Sequence, residues 1–178
     1  MTLIKADRIY TGRVLNLDED SVRFPDGSTG KLEMIRHPGA SAVLPFLEDP
    51  SSPDPAVVLI RQFRHATDDF IYEVPAGRLD AGESPEHCAA RELAEETGYQ
   101  ASRFDRLTTI YTTPGFTDER IHLFMATGLK PGTHNREADE FLELHRFRWS
   151  EVLELVRSGK VVDGKTLSSI MFVQCFVK

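Results

Sequence analysis

One segment constrains this chain more than any other: Gly77-Arg-Leu-Asp-Ala-Gly-Glu-Ser-Pro-Glu-His-Cys-Ala-Ala-Arg-Glu-Leu-Ala-Glu-Glu-Thr-Gly-Tyr99. Ser84 stands where an N-cap accepts a free amide, Pro85 suits the first helical position, and Glu86 favours the positive end of the helix dipole. Gly98 stands where a helix commonly ends in the left-handed conformation. Inside these caps Glu92, Glu95 and Glu96 fall at i, i+3 and i+4, within an arc of about 100°. Ala89, Ala90, Leu93, Ala94 and Thr97 lie roughly opposite, and most are small enough to let the helix approach a sheet closely. Like charges at that spacing weaken an isolated helix, so a positive partner is expected on the acidic face. For an all-oxygen cluster the natural partner is a hard divalent cation such as Mg²⁺. The plainer alternative, a solvated acidic face, is the commoner meaning of an acidic run.

The rest of the chain sets bounds. At 178 residues it fits one domain with a small extra module, and it can bury a substantial core. The net charge of −7 comes with no Lys/Arg block, which disfavours nucleic acid as a partner. A phosphate substrate is still allowed, because a bound metal reverses the local field. No apolar run is long enough for a membrane span, and the start, Met1-Thr-Leu-Ile-Lys-Ala-Asp7, lacks the apolar stretch of an export signal. Cys88 and Cys175 are therefore expected as reduced thiols in the cytoplasm, with Cys88 packing as a small hydrophobe.

Strands are expected over Leu15–Phe24 and Lys31–Arg36, joined through Pro25-Asp26-Gly27, and this hairpin forms an N-terminal β module over residues 1–38. Further strands are expected over Ala40–Leu47, Ala56–Arg64, Phe70–Val74, Leu107–Tyr111, Arg120–Thr127 and Phe141–Trp149. Helices follow from a Ser150 cap through Arg157 and over Thr166–Phe176. The proline-rich stretch Glu48–Pro55 reads as an exposed connector. Irregular alternation of strands and helices predicts a layered α/β domain over 39–178.

Gly77, Glu83 and the run Arg91-Glu-Leu-Ala-Glu-Glu-Thr-Gly-Tyr99, at their spacing, resemble the Nudix box, with every fixed position of that 23-residue pattern met. Tyr99 stands where an aliphatic residue is commoner. Tyr111-Thr-Thr-Pro114-Gly-Phe-Thr-Asp-Glu119, with Pro114 fifteen residues after Tyr99, resembles the marker of the ADP-ribose pyrophosphatase branch. Arg61-Gln-Phe-Arg64, Tyr72-Glu73-Val-Pro-Ala76-Gly77 and Asp139-Glu140-Phe141 are similar to other segments of that branch. The resemblance implies an α/β/α sandwich around a mixed sheet, an N-terminal antiparallel β module and a homodimer. It also implies metal-dependent cleavage of a nucleoside diphosphate sugar, with ADP-ribose yielding AMP and ribose 5-phosphate. GDP-mannose or another such sugar, a non-catalytic nucleotide-binding module and an RNA 5′-pyrophosphohydrolase are the alternatives.

The same resemblance assigns residues. Glu92 and Glu96 are implied as direct ligands of Mg²⁺, with Mn²⁺ as a substitute, Glu95 as a third or outer partner, and the Ala76 carbonyl completing the set. Glu83 is expected to hold the loop before the helix or to touch a metal, Arg91 to be an internal salt-bridge partner that orients one glutamate, and Gly77 and Gly98 to be conformational requirements. For the general base Glu140 comes first, with Glu137, Asp139 and Glu95 as rivals and a solvated carboxylate as the bland reading of each. Arg64 is implied as a contact to the diphosphate or its adjoining sugar, since arginine grips phosphate bidentately, and Arg61 as a second. Glu73 and Glu119 are expected to accept ribose hydroxyls. Glu33 and Arg36, on the N-terminal hairpin, are implied near a base or a partner subunit's site. The six histidines form no ligand spacing, and Trp149 is expected in the core.

Overall fold

A computed structural model describes residues 1–132 and 142–178. The chain divides into two compact units, Met1–Gly39 with Tyr111–Arg120, and Ala40–Ile110 with Ile121–Lys178.

The first unit is an antiparallel sheet of β1 (Thr2–Thr11), β2 (Asn16–Arg23) and β3 (Thr29–Arg36), in that order. The expected hairpin is β2–β3, in register from Arg23 opposite Thr29 to Asn16 opposite Arg36. Its turn is closed by Phe24 accepting from Gly27 and by Asp26 accepting the Ser28 amide at 2.9 Å. Strand β1 lies within the expected β module, but its bounds were not legible, because Thr2–Thr11 shows no clean alternation of apolar and polar residues. It is held by pairing with β2, with irregularities between Leu3 and Lys5 and between Arg8 and Tyr10. The loop 111–120 runs beside β3, where the Ile35 amide donates to Phe116 O at 2.8 Å.

The second unit contains β4 (Ala40–Pro45), β5 (Ala56–Arg64), β6 (Asp69–Glu73), β7 (Ala76–Arg78), α1 (Pro85–Thr97), β8 (Tyr99–Gln100) and β9 (Arg103–Tyr111). It continues through β10 (Arg120–Thr127), β11 (Lys130–Pro131), β12 (Leu142–Arg148), α2 (Trp149–Arg157) and α3 (Gly164–Phe176). One sheet runs β7-β4-β10-β9, with β4 and β10 parallel and β7 antiparallel to β4; a second runs β12-β5-β6 and is antiparallel. Phe141, placed in the last strand by its sequence, lies outside the described residues.

Side-chain alternation sorts these strands between two cores. Leu44, Val57, Leu59 and Leu123 turn to the cluster that contains Trp149, Val152, Ile170 and Val173 of α2 and α3. Val43, Val58, Phe124 and Ala126 turn to the cluster that contains Ala89 and Leu93 of α1. The result is the helix–sheet–helix sandwich with a mixed sheet. Trp149 is buried against Phe46, with ring centroids 5.4 Å apart, and its indole N–H donates to Gln174 at 2.7 Å.

One cap differs from expectation. The first residue of α2 is Trp149, and Glu151 accepts the Arg148 amide at 2.7 Å, while the Ser150 hydroxyl donates away from the helix to Asp54 at 2.9 Å. A carboxylate brought up by the Glu48–Pro55 connector has replaced the local cap. That is a tertiary contact no local pattern reports.

Candidate active site

Helix α1 forms as its sequence demands. Ser84 Oγ accepts the His87 amide at 3.2 Å, Pro85 opens the helix, and Gly98 closes it at φ 71°, donating to Ala94 O at 2.9 Å. The Cys88, Ala89, Leu93 and Thr97 side pins the helix to the sheet. Cys88 is fully buried, and desolvation pushes its thiol up to about 11, which removes it as a nucleophile.

The acidic face is less open than its charge suggests: Glu92 is 8% exposed and Glu96 3%. Carboxylates this buried need compensation. Arg91 supplies much of it, with Nη1 donating to Glu92 Oε1 at 2.6 Å and to Glu95 Oε2 at 3.0 Å. Its other edge donates Nε to Glu83 Oε1 at 3.0 Å and Nη2 to Glu83 Oε2 at 3.1 Å. Glu83 also accepts the Asp80 amide at 3.0 Å, so it braces the loop before the helix, and the Arg91 guanidinium holds its carboxyl down to about 2. The Arg91 charge is stabilised in turn by Glu83 and then by Glu92.

Strand β7 brings the backbone into this face. The Ala76 amide donates to Glu96 Oε2 at 3.1 Å. A Cβ placed on Gly77 would lie 1.8 Å from Glu92 Oε1 and 2.1 Å from its Cδ. Gly77 is therefore needed for clearance beneath a carboxylate, whereas Gly82, at φ +80° with open space around it, is needed for the turn.

Glu92, Glu95 and Glu96 thus meet the Arg91 guanidinium and the Ala76 amide on this face. Carboxylate oxygens are the donor type that could hold a hard divalent cation. Among the described residues no three His, Cys, Asp or Glu side chains stand close enough together to hold a metal ion, and Arg91 stands as the counter-charge to Glu92 and Glu95.

Strand β5 delivers Arg64 to this region. Its Nε and Nη2 donate to the two oxygens of Glu73 at 2.6 and 2.9 Å, and the fields of Glu73 and Glu96 both raise its pKa. Arg61 does not join it. Three residues apart on a strand, the two side chains face opposite ways, and Arg61 lies 4.6 Å over the Phe70 ring and 3.4 Å from Glu143. Simple strand periodicity would have separated the two arginines. Glu73, expected to accept ribose hydroxyls, is 1% exposed, with both oxygens taken by Arg64 and one of them also by Lys165. Its geometry gives it a different task, holding Arg64.

Lys165 escaped the sequence reading, although one sign was present. A lysine in the first turn opposes the helix dipole and calls for an acidic partner.

The remaining candidates belong to the first unit or fall outside the described residues. In the first unit Glu33 is exposed on β3, and Arg36 bonds Asp18 at 3.1 Å and Asp20 at 2.5 Å, two carboxylates that are each 6% exposed. These partners make Arg36 a brace inside its own sheet. Glu119 accepts the Thr112 hydroxyl at 2.8 Å and stands 3.5 Å from His37. Glu137, Asp139 and Glu140 lie outside the described residues.

The family model described as NUDIX domain matches residues 36–168. This chain belongs to the Nudix family. It is 39% identical over 173 residues to an ADP-ribose pyrophosphatase of Bacillus subtilis (strain 168), covering 96% of this chain and 91% of that protein. It is 37% identical over 153 residues to a GDP-mannose pyrophosphatase of Cronobacter sakazakii, covering 81% and 78%. A crystal structure described as an ADP compounds hydrolase shares the fold, with a TM-score of 0.82 over 97% of this chain and 91% of that one, at 21% identity. The Nudix chain is thus a hydrolase of a family whose members generally use a divalent metal. Among its described residues no helix is long and apolar enough to cross a membrane.

Proposed function

We propose that this Nudix hydrolase cleaves the diphosphate bridge of a nucleoside diphosphate sugar, ADP-ribose first, releasing AMP and ribose 5-phosphate. The observation that carries this reading is the buried glutamate pair, Glu92 and Glu96, set against the Ala76–Gly77 backbone with Arg64 in the field of Glu96. The site pairs an all-oxygen cradle for a cation with an arginine suited to phosphate oxygens.

Mg²⁺, with Mn²⁺ as a substitute, would be held by Glu92, Glu96, Glu95 and the Ala76 carbonyl. Bound there, it supplies charge neutralisation on the diphosphate and a lowered pKa for water. The chain's own residues do the rest. Arg64 grips the bridge, Glu83 and Arg91 keep the helix glutamates in place, and a carboxylate takes the proton of the attacking water. The water oxygen bonds to one phosphorus as the bridging P–O bond breaks, and the leaving phosphate departs with its oxygen. Glu95, whose side chain is 39% exposed, is the base candidate among the described residues, and Glu140 retains its claim from the sequence. GDP-mannose is the second reading, favoured by the Cronobacter relative.

The test is a panel of ADP-ribose, GDP-mannose, NADH, a nucleoside triphosphate and 5′-triphosphate RNA, each with Mg²⁺ and with chelator. AMP and ribose 5-phosphate should form from ADP-ribose, falling at least about 100-fold with chelator. Faster turnover of GDP-mannose selects the second reading. No metal-dependent release from any sugar nucleotide overturns both.

A homodimer and a cytoplasmic setting complete the proposal. Strand β1 exposes Leu3, Ile4, Ile9 and Tyr10, each more than half accessible, which suits an apolar subunit contact. Sedimentation at micromolar concentration should give twice the 20.1 kDa chain mass, and a monomer would refute the dimer. The two free cysteines, Cys88 and Cys175, suit a reducing compartment.

A further inference from the structure

Lys165 has no place in the reaction as described, yet its side chain is only 11% exposed and its ammonium sits on Glu73. Glu73 already carries the two-pronged grip of Arg64. One carboxylate is therefore shared by two cations. This matters for binding anions. A lone Arg–Glu fork is electrically neutral, so an incoming diphosphate meets a largely cancelled charge. With Lys165 on the same carboxylate, less of the Arg64 charge is spent on Glu73.

Asp163 stands 3.1 Å from Lys165, but that carboxylate also caps α3, accepting the Thr166 amide at 3.0 Å and the Thr166 hydroxyl at 2.6 Å. The positive end of α3 offsets part of its charge. The same turn fixes the backbone beneath Glu73, because the buried Thr166 Oγ1 accepts the Val74 amide at 2.9 Å. Two residues further on, Ala76 reaches Glu96. The first turn of α3 is thus tied to the arginine and to the backbone that meets the glutamates.

We infer that Lys165 is a positioning residue for diphosphate binding, acting through Glu73 to set the orientation and effective charge of Arg64. This rests on the reading that Arg64 contacts the diphosphate. A purely structural Lys165, present only to neutralise a buried carboxylate, would affect stability alone.

The experiment measures binding of α,β-methylene-ADP, a non-hydrolysable diphosphate, with Mg²⁺ by calorimetry on the full chain, beside steady-state turnover of ADP-ribose. Lys165→Met should raise the dissociation constant and KM about tenfold while kcat changes less than about threefold, as for a contact made equally in ground and transition states. Lys165→Arg should restore binding to within about threefold, since a guanidinium can hold the same carboxylate. In an Arg64→Ala background Lys165→Met should add nothing, because coupled residues are non-additive. If the methionine variant fails to fold, Lys165→Gln, which keeps a donor to Glu73 without its charge, must show the same loss.

Wild-type binding by Lys165→Met or Lys165→Gln, whatever the melting temperature, overturns the inference, as do losses that multiply with Arg64→Ala. A wild-type protein that binds the analogue but hydrolyses no sugar nucleotide refutes the hydrolase reading alone, and the binding arm still decides the role of Lys165. A wild-type protein that does not bind the analogue refutes both.

Discussion

Replacing Glu96 with glutamine is expected to leave a folded protein whose turnover of ADP-ribose with Mg²⁺ has fallen at least about 1,000-fold, the scale seen when a preorganised electrostatic group is removed. The reasoning is local. Glu96 is 3% exposed, and its Oε2 accepts the Ala76 amide at 3.1 Å. Glutamine has the same shape, and its amide oxygen can keep that hydrogen bond. What it loses is the negative charge on a helix face built of oxygen donors. Burial makes that charge costly, so its retention calls for a use. Stability should change little and activity greatly, a split that a melting curve beside a turnover assay reads directly. A fully active glutamine variant would remove Glu96 from the proposed metal site.

Gly77→Ala is expected to damage the site by a different route. The added Cβ would lie 1.8 Å from Glu92 Oε1, far inside any contact that protein atoms tolerate. Glu92 has to swing away, which breaks its 2.6 Å contact with Arg91 and takes a donor from beside Ala76. Overpacking of this kind costs about 1–3 kcal/mol of stability. Displacing a positioned group by an ångström or more costs turnover about 100-fold. Gly82→Ala is the control: its φ of +80° makes alanine strained, but no atom lies within 4 Å of the new Cβ. It should lose about 1 kcal/mol of stability and retain turnover. Equal turnover in both variants would refute the clearance argument.

Much of this site is legible in the sequence, because its signals are local. The caps of α1 at Ser84 and Gly98 stand within the segment they terminate, and spacing alone puts Glu92, Glu95 and Glu96 on one arc. The strands Ala56–Arg64 and Arg120–Thr127 appear with the bounds their apolar runs suggest. Strand β1 fell inside the expected β module without bounds of its own, because its ten residues, nearly all exposed, follow no period and depend on β2 for their pairing. Ser150 misled for a related reason, since its hydroxyl answers Asp54 from a distant connector. Arg91, expected to orient one glutamate, holds Glu83, Glu92 and Glu95 together, a wider grip than the spacing alone suggested.

By itself, the sequence determined a capped helix with three carboxylates on one side, a packing face on the other, and membership of a family with a known box at known spacing. These depend on separations of a few residues, where helix geometry leaves little choice. The tertiary structure decided the rest. It turned Arg64 onto Glu73 and Arg61 toward Phe70, buried Glu73 instead of offering it to a sugar, and placed Glu92 over Gly77. It also brought Lys165 to a carboxylate 92 residues earlier in the chain. Which cation neutralises which buried charge is settled by packing between distant segments. No periodicity along the chain encodes that choice.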